Sequence, residues 1–86
     1  MKVYRLYTER RNVKWICQEI SEVFGGFTIY KTIGFWQGKR ENSMCIEVMT
    51  NERHAEHWFK HVLRLKIMGY CKQDYVLITK SEVEVI

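Results

Sequence analysis

Eighty-six residues are one domain's worth of chain (1–86), too short for a two-domain enzyme with a cleft between its halves. A composition of 47% hydrophobic, 14% aromatic and 28% charged residues, with no proline, excludes a disordered chain. Fourteen Lys and Arg against ten Asp and Glu leave a net charge of +4, which favours anionic partners without the density of a dedicated nucleic-acid coat.

Residues 2–8 are rich in β-formers (Val3, Tyr4, Leu6, Tyr7, Thr8) and read as a first strand. Val13, Ile16, Cys17, Ile20, Val23 and Phe24 then recur at helical spacing, a single apolar stripe, with Asn12 as N-cap and Gly25-Gly26 as the stop. From Phe27 the period becomes two. Phe27, Ile29, Ile33 and Phe35 share the face expected to meet the helices, and Thr28, Tyr30, Thr32 and Trp36 share the other. Gly34 is read as a bulge in this strand, residues 37–42 as a polar turn, and residues 43–49 as the returning strand of a long hairpin. Thr50 or Asn51 caps a second helix with the stripe Ala55, Trp58, Phe59, Val62, Leu63 and Ile67, ending at Gly69. Residues 75–79 form a fourth strand, and residues 83–85 suit a short edge strand.

The order β-α-β-β-α-β predicts an α+β, ferredoxin-like split β-α-β fold: an antiparallel sheet in spatial order 4-1-3-2 with both helices on one face. Strands one and two then run the same way, so three connections meet at one end of the sheet. Their basic residues are Arg10 and Arg11, with Lys14 just inside the first helix, then Lys39 and Arg40 in the hairpin, and Lys72 before the last strand. The opposite end holds one basic residue, Arg53. Backbone N–H groups at the start of the first helix add partial positive charge at the basic end, which suits phosphate. Trp36 lies beside these cations, where an aromatic ring can stack a base, and Trp15 sits off its helix's apolar stripe. The remaining sheet face carries Tyr30, Trp36, Cys45 and Met49, an apolar area that predicts cover by another copy of the chain. An RNA-recognition motif would need aromatics on the third strand, where Ser43, Cys45, Glu47 and Met49 stand instead.

No constellation specifies catalysis or a metal. His54, His57 and His61 share a helix face but form no HExxH, and Glu41, Glu47 and Asp74 lack a clustered arrangement. Cys17, Cys45 and Cys71 are odd in number and form no CxxC, so reduced thiols are expected. There is neither a signal-peptide-like apolar run nor a membrane-spanning one, so a cytoplasmic protein is expected, without cofactor or metal.

Gly26-Phe27-Thr28-Ile29, Gly34-Phe35-Trp36-Gln37-Gly38, Glu41-Asn42-Ser43 with Ile46-Glu47-Val48, and Gln73-Asp74-Tyr75-Val76-Leu77-Ile78-Thr79 together resemble a group of small uncharacterised proteins of phages, plasmids and bacterial chromosomes. That resemblance implies the same fold and carries over no catalytic residue. At fold level the chain is also similar to trimeric signal proteins of the PII and CutA kind, which implies nucleotide binding between subunits by the loop after strand two, residues 37–42 here. The expectation is a non-enzymatic, homo-oligomeric module for a small phosphorylated ligand such as a nucleotide, a phage or plasmid protein sequestering a host signal being one setting. Arg10, Arg11, Lys14, Trp36, Lys39, Arg40 and Lys72 are its candidate ligand contacts. The alternatives are a nucleic-acid binder, or a small hydrolase using the histidines of the second helix.

Overall fold

Alternating side chains build one four-stranded sheet. In the computed structural model, which describes residues 1–73 and 75–86, the strands are β1 (Lys2–Glu9), β2 (Thr28–Trp36), β3 (Lys39–Thr50) and β4 (Leu77–Glu82). Every pairing is antiparallel and the order is β2-β3-β1-β4, the expected 4-1-3-2 read from the other edge. With α1 (Val13–Ser21) after β1 and a helical stretch after β3, the α+β ferredoxin-like arrangement is the observed one.

One face of the sheet is packed. Tyr4 and Leu6 of β1 and Met44, Ile46 and Val48 of β3 meet Ile16 and Ile20 of α1 and Ala55, Phe59, Leu63 and Ile67 of the second helical stretch. Phe59 ties these elements together, its ring stacked on Tyr4 at 5.1 Å and on Phe24 at 5.4 Å. The second stretch is α2 (Ala55–Trp58), a π-helical turn (Phe59–Leu63) and α3 (Arg64–Tyr70), joined by residues that keep helical dihedrals. An i+4 repeat such as Ala55, Phe59, Leu63 and Ile67 runs ahead of a 3.6-residue turn. The wider π turn takes up that drift, so all four stay buried.

Several sequence expectations are corrected. Asn12 does not cap α1 with its side chain; it adopts the left-handed conformation (φ 54°, ψ 31°) and its carbonyl accepts the Ile16 N–H at 3.0 Å. The helix stops at Ser21 rather than at Gly25-Gly26, because Val23 and Phe24 both donate to the Ile20 carbonyl and the chain turns there. Phe24 thereby returns to the core while Val23 is exposed. Gly34 makes no bulge: pairing runs unbroken from Thr28↔Glu47 to Trp36↔Lys39. Its lack of a side chain answers crowding instead, since a Cβ there would lie 3.2 Å from Ser43 Oγ.

The hairpin turn is two residues, Gln37 (φ 51°) and Gly38 (φ 78°), both at the positive φ that a tight type I′ connection requires. Lys39 and Arg40 therefore belong to β3 and not to a loop. The second helical stretch begins at Ala55, after a turn in which Glu52 N–H donates to Thr50 Oγ1, and it passes Gly69 to end at Tyr70. The last strand is displaced to Leu77–Glu82, and residues 83–85 add no strand. Ile33 and Phe35, expected under the helices, lie beyond their reach and are 57% and 72% exposed.

Candidate functional site

The β2–β3 hairpin is longer than its neighbour. The last β1 pair is Glu9↔Ser43, yet the hairpin continues to Trp36↔Lys39, leaving an overhang past the end of β1. Sheet twist carries such an overhang across the open face. Trp36 there stacks on Tyr75, which enters β4 on the far side of β1, with ring centroids 5.1 Å apart and planes 26° apart. The cavity there, half open to solvent, has a volume of about 420 Å³ and draws on all three connections at this end. Glu9 and Arg11 come from the β1–α1 link, Ile33 to Trp36 and Glu41 from the hairpin, and Lys72, Gln73 and Tyr75 from the segment before β4. Tyr7, Thr8, Thr32, Ser43 and Leu77 complete the wall, with Thr32 Oγ1 and Ser43 Oγ in a 2.7 Å hydrogen bond.

The polar groups are tightly arranged. Arg11 Nε lies 2.7 Å from Glu9 Oε2, and Arg11 Nη2 donates to the Lys72 carbonyl at 3.0 Å. Lys72 is held in the left-handed region (φ 54°), unusual for a side-chain-bearing residue. Gln73, only 5% exposed, accepts at Oε1 from Thr8 Oγ1–H and, at 3.0 Å, from the Glu9 backbone N–H. Its Nε2 is buried without a hydrogen-bond partner among the described residues. Partial desolvation of its half-exposed ring, with Cys45 alongside, pushes the Tyr7 phenol above its ordinary value. Burial likewise raises the Cys71 thiol, partly offset by the positive charge of Arg11.

Of the sequence-derived candidates, Arg11, Trp36 and Lys72 line the cavity. Arg10, Lys14, Lys39 and Arg40 do not. Arg10 donates its backbone N–H to Asn42 at 2.9 Å, beside the hairpin, while Lys39 and Arg40 pair with Trp36 and Phe35 toward its tip. Lys14, on the first turn of α1, borders a separate shallow depression with Cys17, Gln18, Ser21 and Glu22. Trp15 stacks on Tyr70 at 4.6 Å and is a packing residue. His57 and His61 lie with rings 4.9 Å apart on an exposed helix face, and no cluster of three metal-ligating side chains occurs among the described residues. Asp74 lies outside the described residues. Gln73, Tyr75 and Glu9 are cavity residues that charge and periodicity did not single out, and Glu41, weighed in the sequence as a carboxylate without a cluster, lines the cavity with them.

Elsewhere the open face carries a polar ladder, with Arg5 Nε 2.9 Å from Glu47 Oε2 and Tyr30 O–H donating to Glu47 Oε1 at 3.5 Å. Tyr7, Tyr30, Met49 and Leu77 are exposed around it. Cys17, Cys45 and Cys71 are free thiols. Among the described residues no helix is long and apolar enough to cross a membrane.

No family model matches the chain, and no curated protein does. Solved structures do. A DUF3240 family protein from Shewanella baltica is similar at TM-score 0.73 and 14% identity, over 99% of this chain and 91% of that one. A putative PII-like signaling protein from Thermus thermophilus follows at TM-score 0.69 and 17% identity, over 99% and 87%. CPII, a nitrogen regulatory PII-like protein from Thiomonas intermedia bound to ADP, AMP and bicarbonate, has TM-score 0.68 and 10% identity over 98% and 90%. The fold is PII-like.

Proposed function

We propose that this chain is a non-enzymatic binding module for a small phosphorylated ligand, a nucleotide, taken up in the cavity at the hairpin end. The carrying observation is that Trp36 and Tyr75, stacked on one another, line a cavity that Arg11 and Lys72 also line. Aromatic faces suit a base, and cations suit phosphate oxygens. A volume of about 420 Å³ falls in the range of about 300–1,000 Å³ usual for small-molecule sites. The bound ADP and AMP of CPII support the same reading. Arg10, Lys39 and Arg40 stand at this end outside the cavity, where they attract the anion and meet phosphates that project from it.

The module acts as a homo-oligomer. Tyr30, Met49 and Leu77 on the open sheet face and Phe35 on the overhang are exposed apolar side chains, which assembly would cover. Light scattering checks the assembly, and a monomer at working concentration would count against it.

Thermal-shift measurements against nucleoside mono- and diphosphates and cyclic nucleotides test the binding. A ligand of the folded state raises Tm in proportion to the logarithm of its concentration. The expected result is a rise for at least one nucleotide that is lost in Arg11→Ala and Lys72→Ala. No rise across the panel, or a rise untouched by both substitutions, would overturn the reading.

A further inference from the structure

Among the described residues two carboxylates line the cavity, and only one of them is occupied. Glu9 is neutralised in place, with its Oε2 2.7 Å from Arg11 Nε. Glu41, half-buried, engages neither a cation nor a side-chain hydrogen-bond donor among the described residues. The strand register fixes where it points. Glu41 stands opposite Gly34 in the β2–β3 pair, and a Cβ on Gly34 would lie 3.4 Å from Glu41 Cγ and 3.5 Å from its Oε1. The carboxylate therefore lies over the bare glycine, and both residues are part of the cavity wall. Thr32 and Ser43, the next pair on that face, hydrogen-bond to each other and leave Glu41 alone.

An ionised carboxylate only accepts, so this oxygen pair calls for O–H or N–H donors and repels phosphate. Whatever its base, a ribonucleotide offers two adjacent donors in the 2′,3′-diol of its sugar, and a carboxylate is the group that dinucleotide-binding folds set against the ribose 2′-OH. The position agrees. Glu41 is one alternation, about 7 Å, along β3 from Lys39, the partner of Trp36, which is the scale of the step from base to sugar. On its other side β3 adjoins β1, whose link to α1 carries Arg11. Aromatic ring, carboxylate and cation thus follow one another as base, sugar and phosphate do in a nucleotide. We propose that Glu41 accepts hydrogen bonds from the 2′- and 3′-hydroxyls of the bound nucleotide and so makes the cavity selective for ribonucleotides over 2′-deoxyribonucleotides. The inference rests on the nucleotide-binding reading above and adds the specificity-determining residue to it.

Isothermal titration of the full chain with GDP, ADP and their 2′-deoxy counterparts tests it. Each ribonucleotide that binds is expected to bind about 10- to 150-fold more tightly than its 2′-deoxy form, the scale of one hydrogen bond to a charged group, and this comparison leaves the protein unaltered. Glu41→Ala removes the acceptor and is expected to bring the two forms to equal affinity. Glu41→Gln keeps a neutral acceptor of the same size and is expected to retain a smaller preference than the wild type. Equal binding of the ribo and deoxy forms by the wild type, or a preference of unchanged size in Glu41→Ala, would overturn the proposal while leaving nucleotide binding intact. Failure of all four nucleotides to bind would overturn both.

Discussion

The helix-covered face of the sheet and the cavity at the hairpin end are built on the same strands, yet they are finished differently. Under the helices, β1 and β3 present Tyr4, Leu6, Met44, Ile46 and Val48 to apolar partners, and the space is filled. At the hairpin end the overhang passes beyond any helix, and the space is walled by aromatics and polar groups but not filled. The lesson is that this small domain places its stability and its candidate chemistry in separate regions, so substitutions should divide the two.

The largest effect is expected at the core. Phe59→Ala removes a side chain that is fully buried against Tyr4, Phe24 and Trp58, and large-to-small changes of this kind cost about 3–5 kcal/mol. Urea denaturation checks it, and nucleotide affinity of the fraction that stays folded should be unchanged. Trp36→Ala is expected to do the reverse. The ring is half exposed, so stability should change by less than about 1 kcal/mol. The stacking it offers a base is worth about 1–3 kcal/mol, so nucleotide affinity should fall by about fivefold to 150-fold. If Trp36→Ala unfolds the chain while leaving affinity alone, the division is wrong.

Smaller effects sharpen the comparison away from both regions. Arg5 and Glu47 form a partly exposed pair on the open face, and a double-mutant cycle should return about 0.2–1 kcal/mol. Glu56 and Lys80 form a solvent-exposed pair on the helix side. The hydrogen bond and charge of Lys80 hold the Glu56 carboxyl below its ordinary 4.5, so its contribution is present above that pH and is lost as pH falls through the lowered value. Glu56 in turn holds Lys80 above 10.5, so that contribution is present below 10.5 and is lost as pH rises through the raised value. The stability difference between the wild type and Glu56→Gln should therefore close in acid, with little else altered.

Much of the fold was legible because burial imposes a period. Ile16 and Ile20, or Met44, Ile46 and Val48, announce their faces through spacing alone, and the strand order follows from the sequence of elements. The overhang was not legible for the converse reason. Lys39, Arg40, Glu41 and Asn42 lie in a strand with no helix above it, so nothing demands an apolar alternation, and the stretch reads as a turn. Ile33 and Phe35 mislead in the opposite sense, since their alternation is that of a covered strand where no cover exists. In the cavity, Arg11, Trp36 and Lys72 were visible as charge and aromaticity near the ends of elements. Gln73 was not, because a polar side chain buried by a non-repeating segment follows no period; only its hydrogen bonds to β1 reveal it.

The central claim is that a nucleotide occupies the cavity at the hairpin end. Backbone amide shift mapping by NMR during titration with GDP tests it most directly. The account predicts that the largest perturbations fall on Glu9, Arg11, Trp36, Lys72, Gln73 and Tyr75, with the Thr50 to Arg53 end of the molecule silent. Perturbations centred on that opposite end or on the face carrying His57 and His61, or none at saturating GDP, GMP, ADP and AMP, would contradict it.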